Sequence, residues 1–199
     1  MLGAARADKV RRTGENRREY AMGGLPPFRG RKRRSAMKAH SADYHVHTDF
    51  SDDSVYPMEQ VVQDAIRLGL SEICFTDHVD YGIKRDWDDD GEIPMRGGKL
   101  LTNVDYPLYA ATIQELQCRY GEQITLKMGL EFGMQVRTIP QYERLFARYP
   151  FDFILLSVHE ADNRELWNQA LQTGRSQREY NERYYGELLA LVKQYKHYS

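Results

Sequence analysis

Ile124-Thr125-Leu126-Lys127-Met128 runs as a strand into Gly129-Leu130-Glu131, and a helical pattern lies on either side of it. A short apolar run rich in branched residues and closed by glycine reads as a buried strand. Upstream, Leu108, Ala111, Ile113, Leu116 and Gln117 recur near helical spacing over about Tyr106 to Tyr120, and Gly121 ends that helix. Downstream, Pro140 starts a helix that continues through about Arg148. The same alternation extends outward. Phe151-Asp152-Phe153-Ile154-Leu155-Leu156 reads as a strand, and a last helix runs from about Gln177 to Tyr195 with Tyr184, Leu188, Leu191 and Val192 on one side. Toward the N-terminus, Ile73-Cys74-Phe75-Thr76 is a strand, preceded by a helix opened by Pro57, striped with Val61, Val62, Ala65 and Ile66, and stopped by Gly69. Asp43-Tyr44-His45-Val46 begins the series as a short strand. Strand and helix alternate four times, which predicts an α/β fold with a parallel sheet covered by helices.

The polar residues at the strand ends form a pattern of their own. His45 and His47 flank Val46, and alternate residues of an extended chain share a face, so the two imidazoles project together. Asp53 follows six residues after His47. Thr76-Asp77-His78, Gly129-Leu130-Glu131 and Ser157-Val158-His159 each stand where an apolar run ends. Singly, each has an ordinary explanation as a loop carboxylate, a helix cap or a hydrogen-bonded histidine. Glu131 resists one, because a carboxylate ending an apolar strand is costly to desolvate without a cation or donor. Together they predict a metal site, since the C-terminal strand ends carry the chemistry in barrels and in open sheets alike.

Mixed imidazole and carboxylate donors suit Zn, Mn or Fe better than the all-oxygen shells of Mg or Ca. His45, His47, Asp53, His78, Glu131 and His159 are more donors than one tetrahedral ion needs, and Glu131 as a bridging carboxylate would use them economically. Asp43 and Asp77 are candidates to orient imidazoles from behind, with strand-end hydrogen bonding as the equal alternative. The segment 79–103, acidic and glycine-rich without periodicity, reads as a long functional loop. Its Lys84, Arg85 and Trp87, and the loop residues Arg137, Arg164 and Arg175, are weaker candidates for substrate contact, each also readable as solvated surface.

The chain has 199 residues, enough for one domain with a substantial core. Its net charge of −1 conceals two unlike parts. Residues 1–40 hold 12 Lys/Arg against 3 Asp/Glu, a balance of +9, and the rest hold 16 against 26, a balance of −10. The basic part, containing Arg31-Lys32-Arg33-Arg34, has no sustained periodicity, so residues 1–41 are expected to be a disordered extension. It lacks interleaved aromatics and any recognisable binding fold, so nucleic acid is not the expected partner. No apolar stretch reaches the roughly 18 residues of a membrane span, and no signal-peptide core follows the N-terminal charges. Cys74 and Cys118 lack CxxC spacing and read as buried free thiols in a reducing cytoplasm.

Four stretches carry a resemblance. Asp43-Tyr44-His45-Val46-His47-Thr48-Asp49-Phe50-Ser51, Glu72-Ile73-Cys74-Phe75-Thr76-Asp77-His78, Gly129-Leu130-Glu131-Phe132-Gly133, and Phe151-Asp152-Phe153 through Ser157-Val158-His159 are similar to the PHP (polymerase and histidinol phosphatase) family, in its histidinol-phosphatase branch. The resemblance spans about residues 42–199. It implies a distorted, TIM-like (β/α)7 barrel with a trinuclear metal cluster that hydrolyses L-histidinol phosphate to L-histidinol and phosphate, a step of histidine biosynthesis. By that resemblance His45 and His47 would bind the first metal, Glu131 would bridge to the second, His159 would bind the second, and Asp53 and His78 would serve the third. Asp53 stands where many relatives carry histidine.

The family continues past a helix like Gln177–Tyr195 with a strand leading to a Gly-His motif and then a closing Asp-x-His motif, which supply further ligands. Neither precedes Ser199, and His197, placed on the last helix, reads as surface rather than as a substitute. Residues 42–199 are therefore expected to form a partial barrel, incomplete at the C-terminus. Two alternatives follow from the same resemblance. One is another PHP phosphoesterase, a phosphotyrosine phosphatase or a nuclease-like hydrolase. The other is an inactive fragment that holds metal weakly and aggregates through its open sheet edges.

Overall fold

The structure, a computed structural model, describes residues 40–198. All but the last two residues of the expected basic extension lie outside them.

The sheet is parallel and assembles around one long strand. β1 (Ala42–Val46) pairs with β2 (Glu72–Phe75), and β2 pairs with Thr125–Met128 of β6 (Thr125–Gly133). β3 (His78–Val79) follows β2 after only Thr76 and Asp77 and pairs with Glu131 and Phe132, farther along β6. β7 (Phe153–Ser157) pairs with Gly129–Gly133. Between them run α1 (Met58–Leu68), α2 (Tyr106–Tyr120) and α3 (Ile139–Arg148), with α4 (Gln177–Gln194) last. Each strand thus reaches its parallel neighbour through a helix, as parallel pairing requires.

The helices form where their apolar spacing matches a helical turn. α1 buries Met58, Val62 and Ala65, and α2 buries Tyr106, Tyr109, Ile113 and Leu116. Asp105 caps α2 by accepting from the Leu108 N–H, and Ser176 and Glu179 form a reciprocal capping box at the start of α4. These faces close over Ile73, Phe75, Leu126, Leu130, Phe132 and Ile154 of the sheet in one apolar core.

The strand expected to end at Glu131 instead continues through it to Gly133, because β3 and β7 both supply backbone partners at residues 131 and 132. Glu131 is therefore fixed inside a strand. The segment 79–103 is more ordered than a loop, since β4 (Met95–Arg96) and β5 (Lys99–Leu100) form a hairpin turned by Gly97 and Gly98, both at positive φ. A second hairpin, β8 (Glu160–Ala161) with β9 (Arg164–Glu165), turns on Asp162 and Asn163 at φ 54° and 57°. Strands of two residues are too short for any periodicity to announce them. Cys74 is buried as expected, but Cys118 lies on the exposed side of α2. His197 follows α4 instead of lying on it, exposed and stacked on Phe146 with ring centroids 4.6 Å apart.

Candidate metal centre

Strand register builds the site. His78 of β3 is the direct cross-strand partner of Glu131 of β6. His45 lies near the end of β1, His47 just beyond it, and His159 two residues past β7. All four imidazoles converge on one carboxylate. Glu131 Oε2 is 3.1 Å from His45 Nε2, 3.4 Å from His47 Nε2 and 3.5 Å from His78 Nδ1. Its Oε1 is 3.0 Å from His159 Nε2. Asp53, on the loop after β1, places Oδ2 3.1 Å from His78 Nε2 and 3.8 Å from His47 Nδ1. The six expected ligands thus form one constellation.

Its atoms leave demand unmet. His47 Nδ1 and His78 Nδ1 are buried and accept or donate no hydrogen bond. Buried polar atoms normally find partners, and nitrogens facing carboxylate oxygens are suited to a cation between them. Three sets, His45–His47–Glu131, His47–Asp53–His78 and His78–Asp80–His159, each bring their donor atoms within 4.8 Å of one another. The donor set fits divalent ions of the zinc, manganese and iron class.

The electrostatics agree. Burial works to raise the Glu131 carboxyl, but the His159 hydrogen bond and the charges of His78, His159 and His45 outweigh it and hold it down at about 2. Burial likewise opposes Asp53, which its hydrogen bond to His78 and the charges of His78 and His47 bring to about 2. Both carboxylates stay ionised at neutral pH. Burial, with the His78 charge, lowers His47 and favours its neutral, ligating form. His159 differs: burial disfavours its charge, yet hydrogen bonds to Asp80 and Glu131 raise it to about 10.

Asp80 is the residue that sequence reasoning missed. It is 5% exposed, and its Oδ1 is 2.6 Å from His159 Nδ1, which leaves Nε2 facing Glu131. Gly133 makes the contact possible, for a Cβ there would stand 2.0 Å from Asp80 Oδ1 and 2.3 Å from His159 Nδ1. Asp77 accepts from the Thr48 N–H, the Thr48 hydroxyl and the Ser51 hydroxyl, none of them an imidazole. It fixes the turn between His47 and Asp53, so it acts through the backbone. Asp43 accepts from the His45 backbone N–H at 3.0 Å and also leaves the ring alone.

A cavity of about 430 Å³ opens beside the cluster, lined by Asp53, His78, His159, Lys84, Arg96 and Trp167 among others. Of the expected substrate contacts only Lys84 borders it. Arg85 pairs with Asp89 on the surface, Trp87 packs against the core, and Arg137, Arg164 and Arg175 lie elsewhere. Arg96, Glu165 and Trp167 come to the cavity from the two hairpins and their vicinity, which no sequence spacing marked. The Arg96 guanidinium sits 4.8 Å over the Trp167 ring and 2.5 Å from Glu165.

Residues 43–198 match the PHP domain. The chain belongs to the PHP family. The curled parallel sheet of this PHP chain is a half-barrel. The crystal structure of histidinol phosphate phosphatase from Lactococcus lactis, complexed with zinc, L-histidinol and phosphate, superposes with a TM-score of 0.69 at 29% identity, over 80% of this chain and 56% of that one. The histidinol-phosphatase of L. lactis is 32% identical over 126 residues, which are 63% of this PHP chain and 42% of that protein. The protein named "Probable histidinol-phosphatase" in Deinococcus radiodurans is 28% identical over 117 residues, 59% of this chain and 41% of that protein. The chain spans about two-fifths of the length of these curated relatives.

Proposed function

We propose that this PHP chain carries the metal-binding part of a histidinol-phosphatase, hydrolysing L-histidinol phosphate to L-histidinol and phosphate. One observation carries the reading: four imidazoles converge on the two oxygens of Glu131, inside a fold that superposes on a relative crystallised with zinc, L-histidinol and phosphate. His45 and His47 would hold one ion, Glu131 would bridge from it to a second that His159 binds, and His78 and Asp53 would hold a third. Such ions supply positive charge to the phosphoryl oxygens and bring the pKa of a water near neutrality.

The chain's own groups do the rest. Glu131 and Asp53 remain ionised and neutralise the ions' charge. The apolar wall of Ile83, Val158 and Leu166 limits water beside the cluster, and Trp167 offers a flat surface to the imidazole ring of the leaving group. Residues 42–199 would form this domain. The absence of a helix long and apolar enough to cross a membrane among the described residues, together with a small-molecule substrate, supports a cytoplasmic enzyme.

Phosphate release from L-histidinol phosphate by the purified chain, with added Zn or Mn and with His45→Ala as control, tests the proposal. Metal-dependent turnover lost in the control supports it. Turnover of p-nitrophenyl phosphate, phosphotyrosine or oligonucleotides without turnover of L-histidinol phosphate refutes the substrate assignment.

A further inference from the structure

Lys84 is buried to an unusual degree for a lysine, with a side chain 4% exposed. Its ammonium lies 2.5 Å from Asp52 Oδ1 and 2.7 Å from Asp80 Oδ2. Asp52 is the neighbour of Asp53, on the loop that carries that ligand. Asp80 holds His159 through Nδ1 at 2.6 Å. One cation therefore ties the loop that carries Asp53 to the carboxylate that holds His159. The hairpin β4–β5 reinforces the tie from outside, since Lys99 donates to Ser51 O at 3.0 Å and Arg96 lies 3.7 Å from Asp52.

We infer that Lys84 is a positioning residue for the metal centre, resting on the proposed function, and that it secures the Asp53 and His159 ends of the site directly and reaches the His45–His47–Glu131 end only through them. The reason is electrostatic. Without Lys84, Asp52 and Asp80 are two carboxylates, each largely shielded from water, with no cation between them. Removing one partner of a buried pair leaves an uncompensated charge, and the structure must move to hydrate it. Asp80 would then release His159, and Asp52 would draw the Asp53 loop outward. His45 and Glu131 lie in β1 and β6, and no hydrogen bond or ion pair among the described residues joins them directly to Lys84.

The test is zinc titration of the full chain against a chromophoric chelator, with far-UV circular dichroism to follow the fold. Partners behind a metal ligand commonly contribute about 10–100-fold in affinity. Lys84→Met and Asp80→Asn should each keep one zinc within about threefold of the wild-type affinity and bind the remaining zinc about 10–100-fold more weakly. Lys84→Arg, which keeps the cation, should bind that remaining zinc more tightly than Lys84→Met. Full retention of all zinc by Lys84→Met, or equal weakening of every site in Asp80→Asn, overturns the assignment. If Lys84→Met loses its fold, Asp52→Asn, which weakens the other arm of the tie without touching a ligand, decides: weaker binding of the remaining zinc supports the assignment and unchanged binding overturns it. A wild-type chain that takes up no zinc defeats the proposed function and this assignment together, an outcome distinct from a wild type that binds zinc and variants that bind it equally well.

Discussion

Asp80 and His159 stand 79 residues apart in sequence and 2.6 Å apart in space, and Gly133 is the residue that lets them meet. A methyl group on Gly133 would occupy the position of the contact itself, at 2.0 Å from one partner and 2.3 Å from the other. Gly133→Ala should therefore part the pair. Overpacking of this kind costs about 1–3 kcal/mol. The expected outcome is a lower melting temperature together with at least tenfold weaker zinc binding, read by the same chelator competition. An unchanged zinc affinity in a folded Gly133→Ala chain would show that His159 needs no such support.

The metal-free protein should respond to pH on both sides of neutrality. His159 is raised to about 10, so its contribution is complete below its ordinary value near 6.5 and fades as pH climbs toward 10. Glu131 and Asp53 are held down at about 2, so their contribution is complete above ordinary carboxyl values and fades as pH falls toward 2. Thermal melts in chelator across pH 3–10 should show maximal stability at about pH 5–6.5. His159→Gln should flatten the alkaline limb and also shrink the Glu131 part of the acid limb, because Glu131 loses the hydrogen bond that holds it down, while the Asp53 part stays.

Tyr142 provides a test of the scaffold away from any ligand. It is fully buried, and its hydroxyl accepts from the Tyr81 N–H at 3.1 Å while lying 2.7 Å from Val79 O and 2.8 Å from Gly133 O. Tyr142→Phe leaves the Tyr81 N–H without that acceptor, at a cost of about 1–3 kcal/mol. Denaturant unfolding should show the loss. Because the hydroxyl joins the exits of β3 and β6, zinc affinity should also fall, by less than in Gly133→Ala.

The two thiols should differ in reactivity. Burial pushes the Cys74 thiol up to about 12, and its side chain is fully enclosed, whereas Cys118 is exposed. The native chain should react with one equivalent of a disulfide-forming thiol reagent, and with two once unfolded. Cys118→Ser should abolish the native reaction.

The alternating strands and helices were legible because each apolar run is long enough to have a period and most end at a glycine or proline. β2, α2 and α4 follow the expected bounds within a residue or two. The ligands were legible for a related reason, since strand ends in a parallel sheet share one face. Asp80 was not, because nothing local separates it from Asp77 or Asp43: all three stand within two residues of a histidine, and only the pairing of β3 and β7 with β6 decides which meets a ring. Lys84 reads as surface in the sequence because lysine usually is, and its burial depends on carboxylates 32 and 4 residues away. Cys118 shows the opposite limit, for helical spacing places a residue on a face without saying which face is covered.

His45, His78 and Glu131 are set in strands β1, β3 and β6, and His159 follows closely on β7, whereas Arg96, Glu165 and Trp167 reach the cavity from two small hairpins or just beyond them. The rim formed by these hairpins touches the Asp53 loop through side chains, those of Lys99 and Arg96 of β4–β5. Hairpins turned by Gly97-Gly98 and Asp162-Asn163 can lengthen, shorten or change sequence with little consequence for the register of the sheet. Lineages descending from such a chain could exchange one leaving group for another by editing the rim, and inherit the reactive floor intact wherever Lys99 and Arg96 are kept.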